Sequence, residues 1–223
     1  MKILALDTST DACSAALWTD GAVVERFETG RQHSERILPM VHEVLAEAGL
    51  VLTQLDAIAF GRGPGSFTGL RISAGVTQGL AFGANLPVVP VSSLAALAQG
   101  VDASKVLAAI DARKNQVYWA VYQRNSQGIV ELVDKESVVA PYDVKLPEGK
   151  DWVGAGSGWD EYAAVLMERL IDHATEWRPQ CFPRARFVAQ LGAEAQEKNA
   201  SLTPELALPV YLRDEVALKR IKT

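Results

Sequence analysis

Cysteine and histidine are scarce in this 223-residue chain, which limits the chemistry that it can host. The two cysteines, Cys13 and Cys181, are too few for a disulfide framework and too far apart for a zinc site, in agreement with a reducing compartment. The three histidines include no pair four residues apart, and none stands beside a cysteine. We therefore expect no metal centre of the zinc type.

Long apolar runs and an excess of basic charge are also missing. The longest apolar runs have the length of strands and are interrupted by Asp, Gly or Pro, so no membrane span is predicted. The N-terminal MKILALDTST lacks the pattern of a secretory or transit signal, and we expect a cytoplasmic protein. A formal net charge of −5 provides no broad basic field for nucleic acid. A mildly basic C-terminal tail is the exception, with Arg213, Lys219, Arg220 and Lys222.

The signatures of nucleotide binding are incomplete in GRGPGSFTGLRIS, residues 61–73. A Walker A loop ends in Gly-Lys-Ser/Thr, but no lysine follows these glycines, and Thr68 stands where the dinucleotide fingerprint needs its last glycine. Two interpretations stay open: a weak anion site, or a tight turn from a strand into a helix capped by Ser66 or Thr68. The candidate residues of the anion site are Asp7, Gly63, Gly65 and Ser66.

A unit of strand, aspartate, polar turn and second strand occurs twice in the chain. The first copy begins with ILALD at residues 3–7, and the second begins with LAAID at residues 107–111. Such a repeat predicts two α/β lobes with a mixed sheet each, over residues 1–101 and 102–223. The pattern is typical of the two-lobed actin-like ATPase fold (ASKHA, ribonuclease H-like), with a second lobe that is reduced.

Apolar periodicity predicts the other elements. Pro39 falls inside the first predicted helix, so we expect that helix to start near Pro39 or to kink there. The turn-rich residues 135–151 are predicted to be a loop. Helices are predicted over residues 34–48, 66–84, 92–98, 159–171 and 186–198, and further strands over residues 55–60 and 87–91. Residues 152–158 are predicted to be a strand that leads into a glycine turn.

The second predicted helix is unusual because Gly75, Gly79 and Gly83 recur every four residues. Each interior glycine costs about 1 kcal/mol relative to alanine, so three together cost about 3 kcal/mol. A backbone that approaches closely along the bare stripe would offset this cost. That backbone belongs either to the first helix of the same chain or to another subunit, and the second interpretation is the one we prefer.

Asp7 and Asp111 each end the first strand of a repeated unit. In one hypothesis they hold Mg²⁺ in a nucleotide cleft, and the chain is an active ATPase or phosphotransferase. In the other they cap turns. The side chains of Ala112, Arg113 and Lys114 follow Asp111 where a phosphate would need glycine, which favours the cap for Asp111.

Six stretches together resemble the TsaB (YeaZ) family, bacterial proteins of tRNA threonylcarbamoyladenosine biosynthesis. The resemblance extends over nearly the whole chain, and GPGSFTGLR is its most specific block. The stretches are ILALDTST (3–10), HSE (33–35), GPGSFTGLRIS (63–73), PVSSLAALA (90–98), DARKNQVY (111–118) and YLRDEVA (211–217).

The resemblance implies an actin-like fold without catalysis of its own, with no catalytic or metal-binding residue and no cofactor needed by this subunit. It implies a heterodimer with TsaD through helices of the first lobe, a homodimer when alone, and a platform for the ATPase TsaE. ATP and Mg²⁺ would act through these partners, and tRNA would be bound only indirectly. Carried onto this chain, the pairing surface consists of Leu38, Val41, Leu45, Leu70, Gly75, Gly79 and Phe82.

Overall fold

The computed structural model describes residues 1–30 and 32–213, which form two lobes, each built on one sheet. No helix in these two ranges is both long enough and apolar enough to cross a membrane. The helices are α1 (His33–Glu47), α2 (Phe67–Ala84), α3 (Ser93–Gln99), α4 (Ser157–Arg169) and α5 (Ala185–Glu197). The strands are β1 (Lys2–Asp7), β2 (Ala12–Thr19), β3 (Ala22–Thr29), β4 (Ala57–Gly63), β5 (Val88–Ser92), β6 (Lys105–Asp111), β7 (Val117–Arg124), β8 (Val130–Leu132), β9 (Ser137–Val139), β10 (Trp152–Ala155) and β11 (Ala174–Arg178).

The two sheets have the same strand order. The first is β3-β2-β1-β4-β5, and the second is β8-β7-β6-β10-β11, with β9 paired to β7 as an addition. In each sheet the opening three strands are antiparallel, and the following two run parallel to the central strand. The duplicated, actin-like α/β architecture predicted from the sequence is therefore confirmed.

Within the described residues, the second lobe has no counterpart of α1. In the first lobe α1 connects β3 to β4, whereas β9 and a short 3-10 helix at Pro141–Asp143 fill the equivalent connection before β10. The prediction of a plain loop over residues 135–151 was wrong for this reason. Three-residue elements have too little periodicity to be distinguished from a turn-rich connection.

Helix α1 begins six residues before Pro39, at His33, and continues past it to Glu47. The predicted start near Pro39 is therefore wrong. Pro39 is exposed on the outer side of α1, so the carbonyl left without an N–H partner one turn earlier can be hydrated. The caps of the next two helices are as predicted: Ser66 Oγ accepts from the N–H of Gly69, and Ser92 Oγ caps α3.

Helices and sheets alternate in layers through the molecule. One face of the first sheet is covered by α1 and α2, and its other face is covered by α5. The second sheet lies between α3 and α4. Because α5 comes from the second half of the chain and packs on the first sheet, a cut at residue 101 would separate this sheet from one of its covering helices. The lobe boundary at residue 101 stays a prediction.

The last described residues, 202–213, return to the first lobe, and we call them the C-terminal strap. Leu202 exchanges two backbone hydrogen bonds with Val88 at the edge of β5, of 2.8 and 2.9 Å. Further along, Ala207 is fully buried against α2, and the N–H of Val210 donates to the carbonyl of Arg62 over 2.8 Å. The strap was not predicted, and it lies along one side of α2.

Candidate protein interface

The glycine-rich turn between β4 and α2 is occupied by the chain's own backbone. The N–H of Ser66 donates to the carbonyl of Ser9 over 2.7 Å, and Thr8 Oγ1 donates to the carbonyl of Gly69 over 2.7 Å. A Cβ at Gly65 would lie 2.2 Å from the Ser9 carbonyl oxygen, and one at Gly69 would lie 1.9 Å from that of Thr8. These glycines thus permit the turn after β1 to pack against the start of α2, and this contact explains them without a phosphate.

Gly63 lies against the C-terminal strap. Its φ is +108°, and a Cβ at this position would lie 2.8 Å from the carbonyl oxygen of Val210. The candidate anion-site residues Gly63, Gly65 and Ser66 are therefore brought together by the fold. Their neighbours are the turn after β1 and the strap, both of which belong to the chain itself.

Asp7 is fully buried beneath this turn. Its Oδ1 accepts hydrogen bonds from the backbone N–H and the hydroxyl of Ser9, of 2.9 and 2.8 Å. Its Oδ2 has no hydrogen-bond partner among the described residues. Burial raises the pKa of Asp7 to about 6, against the hydrogen bonds from Ser9, which lower it. Oδ2 also faces Gly61 so closely that a Cβ there would lie 1.9 Å from it. A Mg²⁺ ligand needs an accessible carboxylate, and the full burial of Asp7 does not fit that role.

Asp111, at the end of β6, is engaged by the turn that follows it. Its carboxylate accepts from the N–H of Arg113 over 2.8 Å and pairs with the Arg113 guanidinium over 3.0 Å. The three exposed residues Arg113, Lys114 and Asn115 all have φ values between +56° and +60°. Arg213 of the strap also donates to the Gln116 side chain over 2.5 Å. Asp111 thus caps the turn that follows β6, as one of its two interpretations predicts.

Between the lobes, a buried polar cluster joins β4 and β5 to the second lobe. The Glu136 carboxylate accepts hydrogen bonds from the hydroxyls of Ser92 and Tyr122, the latter over 3.0 Å, and lies 4.0 Å from the Arg62 guanidinium. Burial, and then the charge of Glu136, raises the pKa of Tyr122 well above its ordinary value. The cluster thus links the lobes through two side chains of each: Arg62 and Ser92 from the first, and Tyr122 and Glu136 from the second.

The glycines of α2 face outward. A Cβ at Gly75, Gly79 or Gly83 would meet no atom within 4 Å in the part of the chain that the structure describes. The interpretation in which the chain's own first helix approaches this stripe is therefore excluded for those residues. Phe67 and Phe82 stand at the two ends of the stripe, and both are 54% exposed.

The predicted pairing residues divide into two groups in the structure. Leu38 on α1 is 50% exposed, and Gly75, Gly79 and Phe82 are exposed on α2. The other three are core residues, which corrects their assignment to the surface: each lies on the side of its helix that packs on the first sheet. Their exposed fractions are 4% for Val41, 8% for Leu45 and 1% for Leu70.

The C-terminal strap extends the exposed apolar face of α2. Leu206, Leu208 and Tyr211 are 52%, 57% and 43% exposed, and the Tyr211 ring lies 5.6 Å from the ring of Phe67. We call the surface formed by Leu38, the outer stripe of α2 and these strap residues the α2 face. The strap residues were missed because an irregular segment with Pro204 and Pro209 has no periodicity to follow.

One residue of the basic tail belongs to the described part of the chain. Arg213 lies in the strap, with its guanidinium on the second-lobe turn, whereas Lys219, Arg220 and Lys222 lie outside the described residues.

Comparison with known proteins gives consistent matches along the chain. The family model of TsaD, tRNA N6-adenosine threonylcarbamoyltransferase, matches residues 27–220. The tRNA threonylcarbamoyladenosine biosynthesis protein TsaB of Escherichia coli (strain K12) is 43% identical over 99% of this chain and 98% of its own length, and that of Haemophilus influenzae is 40% identical over 99% and 97%. The solved structure of YeaZ from Pseudomonas aeruginosa superposes with a TM-score of 0.88 at 46% identity, covering 95% of this chain and 99% of that one.

Proposed function

The chain belongs to the TsaB (YeaZ) family of tRNA threonylcarbamoyladenosine biosynthesis proteins, and from this premise we propose that it is a non-catalytic subunit that pairs with TsaD through the α2 face. Membership places it in the pathway that forms threonylcarbamoyladenosine in tRNA. The pairing with TsaD and the lack of intrinsic enzymatic activity are what we propose beyond this membership.

The observation that carries the proposal is the outward-facing glycine stripe of α2. Three glycines cost the helix about 3 kcal/mol relative to alanine. Inside the described residues nothing packs against Gly75, Gly79 or Gly83 to offset that cost. A helix of another subunit can approach the bare backbone closely there, with Phe67 and Phe82 at the ends of the contact, since the helical rise places them about 22 Å apart.

The two candidate carboxylates support the absence of catalysis in this subunit. Asp7 is buried with its Oδ1 held by Ser9, and Asp111 is paired with Arg113. The cluster around Glu136 further joins the lobes with the protein's own side chains. We therefore propose that ATP and Mg²⁺ act in the complex through the partners, and that this subunit needs no cofactor.

We also propose how this subunit assembles with its partners. With TsaD bound to the α2 face, the heterodimer forms the platform on which TsaE docks, and tRNA is bound through the partners. In the absence of TsaD, the exposed apolar side chains of the same face support a homodimer, because burying them removes apolar area from water. Formation of the heterodimer then requires the homodimer to dissociate.

The pairing is tested by placing a charge in the middle of the stripe. Gly79→Glu should lower the affinity for TsaD by more than about 100-fold, because an unpaired carboxylate would be buried against the partner. Ala164→Glu, at an exposed position of α4 in the second lobe, is the matched control and should leave the affinity unchanged. Isothermal titration calorimetry measures both, and thermal melting verifies that both variants fold. Equal affinity of Gly79→Glu and the wild type would refute the proposed interface.

A further inference from the structure

Arg71 lies in the outer stripe of α2 between Phe67 and Gly75, and its charge is the unusual feature of an otherwise apolar face. Its guanidinium carbon lies 3.8 Å from the centroid of the Phe67 ring, and its Nε donates to the hydroxyl of Tyr211 over 3.3 Å. The arginine is thus held between two half-exposed aromatic side chains, one from α2 and one from the strap.

The two terminal nitrogens of Arg71 have no hydrogen-bond or ion-pair partner among residues 1–30 and 32–213. Stacking on Phe67 and the bond from Nε fix the plane of the guanidinium. Its outer edge therefore presents two parallel N–H donors in the geometry that a carboxylate accepts as a bidentate pair.

A subunit that covers the glycine stripe also covers this arginine. Positions 71 and 75 are successive residues of one helix face, about 6 Å apart along the axis. Contact with the backbone at Gly75 would remove water from Arg71, and a buried guanidinium without an anionic partner is strongly unfavourable.

Resting on the docking surface proposed above, we infer that the partner subunit presents an aspartate or glutamate carboxylate to Arg71, between Phe67 and Tyr211. Arg71 then contributes specificity, because a surface that lacks a carboxylate at this place leaves the charge unpaired. An apolar face alone would accept many helices, and Arg71 restricts it to those with an acidic residue in the matching position.

The experiment measures the affinity of Arg71 variants for TsaD by isothermal titration calorimetry. Arg71→Met keeps an unbranched apolar side chain on Phe67 and should weaken binding at least about 30-fold, because the partner's carboxylate would be buried unpaired. Arg71→Lys keeps the charge but loses the planar pair of donors, and should lie between Arg71→Met and the wild type. If the partner has no such carboxylate, Arg71→Met binds as well as the wild type or better, and the inference is wrong.

A matched control is Arg186→Met. Arg186 is exposed, and its guanidinium lies 5.8 Å over the ring of Phe187, but it belongs to α5 on the opposite face of the first sheet. This variant should bind TsaD like the wild type, and all variants should melt at similar temperatures. A loss with Arg186→Met equal to that with Arg71→Met would overturn the inference, because the effect would then be general to surface arginines.

Two further measurements identify which molecule supplies the anion that pairs with Arg71. The chain's own Asp214 and Glu215 lie outside the described residues, and replacing both with Asn and Gln should leave the affinity for TsaD unchanged. If this double variant weakens binding to TsaD as Arg71→Met does, the carboxylate belongs to the chain itself and the inference is overturned.

Weaker binding of Arg71→Met to tRNA with unchanged affinity for TsaD would also overturn the inference, in favour of an RNA phosphate. Gly79→Glu distinguishes a failure of the proposed interface from a failure of the proposed carboxylate. If Gly79→Glu leaves binding to TsaD unchanged, the α2 face is not the interface. If Gly79→Glu weakens binding and Arg71→Met does not, the interface stands and only the partner carboxylate at Arg71 is rejected.

Discussion

Replacing Asp7 with asparagine should stabilise the protein at neutral pH and have little effect in acid. Asp7 is fully buried, and burial raises its pKa from an ordinary value of 3.8 to about 6. A difference of that size corresponds to about 3 kcal/mol of free energy between the folded and unfolded states. Asparagine keeps an oxygen for the two hydrogen bonds from Ser9 and removes the charge.

The sign follows from proton binding. Between about pH 4 and pH 6 the carboxyl of Asp7 ionises in the unfolded chain but stays protonated in the folded one, so the folded state binds more protons. Its contribution to stability is therefore complete below about pH 4 and is lost as the pH rises through about 6. The free energy of unfolding of Asp7→Asn should exceed that of the wild type by about 3 kcal/mol more at pH 7.5 than at pH 3.5.

Urea unfolding of the two proteins over this pH range, followed by circular dichroism, provides the comparison. Taking the difference between variant and wild type cancels the titration of exposed carboxylates such as Glu28, whose pKa is lowered by its hydrogen bond with Arg36. A difference that does not change with pH would refute the burial of an ionisable Asp7. It would also reopen the possibility that this carboxylate is accessible to Mg²⁺.

Three other substitutions test the packing that surrounds the interface. Gly75→Ala should raise the free energy of unfolding of the monomer by up to about 1 kcal/mol, because alanine favours the helix and its Cβ would meet no atom within 4 Å among the described residues. A destabilised monomer would show that another part of the chain packs against the stripe. Gly69→Ala should instead lower the free energy of unfolding by about 3 kcal/mol, because its Cβ would lie 1.9 Å from the carbonyl oxygen of Thr8. An unchanged stability would contradict the close contact between Gly69 and the turn after β1. Glu136→Ala should lower the free energy of unfolding by about 2 kcal/mol, because the hydroxyls of Ser92 and Tyr122 lose the carboxylate that accepts from both and keep only their mutual contact of 3.4 Å. A loss below about 0.5 kcal/mol would argue against the buried cluster between the lobes. Urea unfolding measures all three.

Much of the fold could be predicted because its opening units have strong local patterns. The apolar residues of β1 and β6 end at an aspartate and are followed by a polar turn and a second strand, and this repeat is visible without any tertiary information. The short strands β8 and β9 could not be predicted, because three residues carry almost no alternation. Nor could the packing of α5 on the first sheet, since local pattern identifies an amphipathic helix but not the sheet that it covers.

The candidate site shows the same division. The cost of three interior glycines predicts that α2 has a special surface, and the structure places that surface outside. Leu70 and Phe82 are both apolar residues of α2, yet one is buried and the other half exposed, and residue type alone does not distinguish them. The carboxyl environments also depend on contacts distant in sequence, such as that of Asp7 with Gly61, so the burial of Asp7 was not predictable from its position at a strand end.

We propose that this chain supports formation of threonylcarbamoyladenosine through the α2 face rather than through its own carboxylates. The most direct test is a reconstitution with TsaD, TsaE, threonylcarbamoyl-adenylate and tRNA, in which the modified nucleoside is quantified by mass spectrometry. Modification should stop when this protein is omitted, return with the wild type and with Asp7→Asn, and fail to return with Gly79→Glu. Full modification with Gly79→Glu, or none with a folded Asp7→Asn that still binds TsaD, would refute this role of the α2 face.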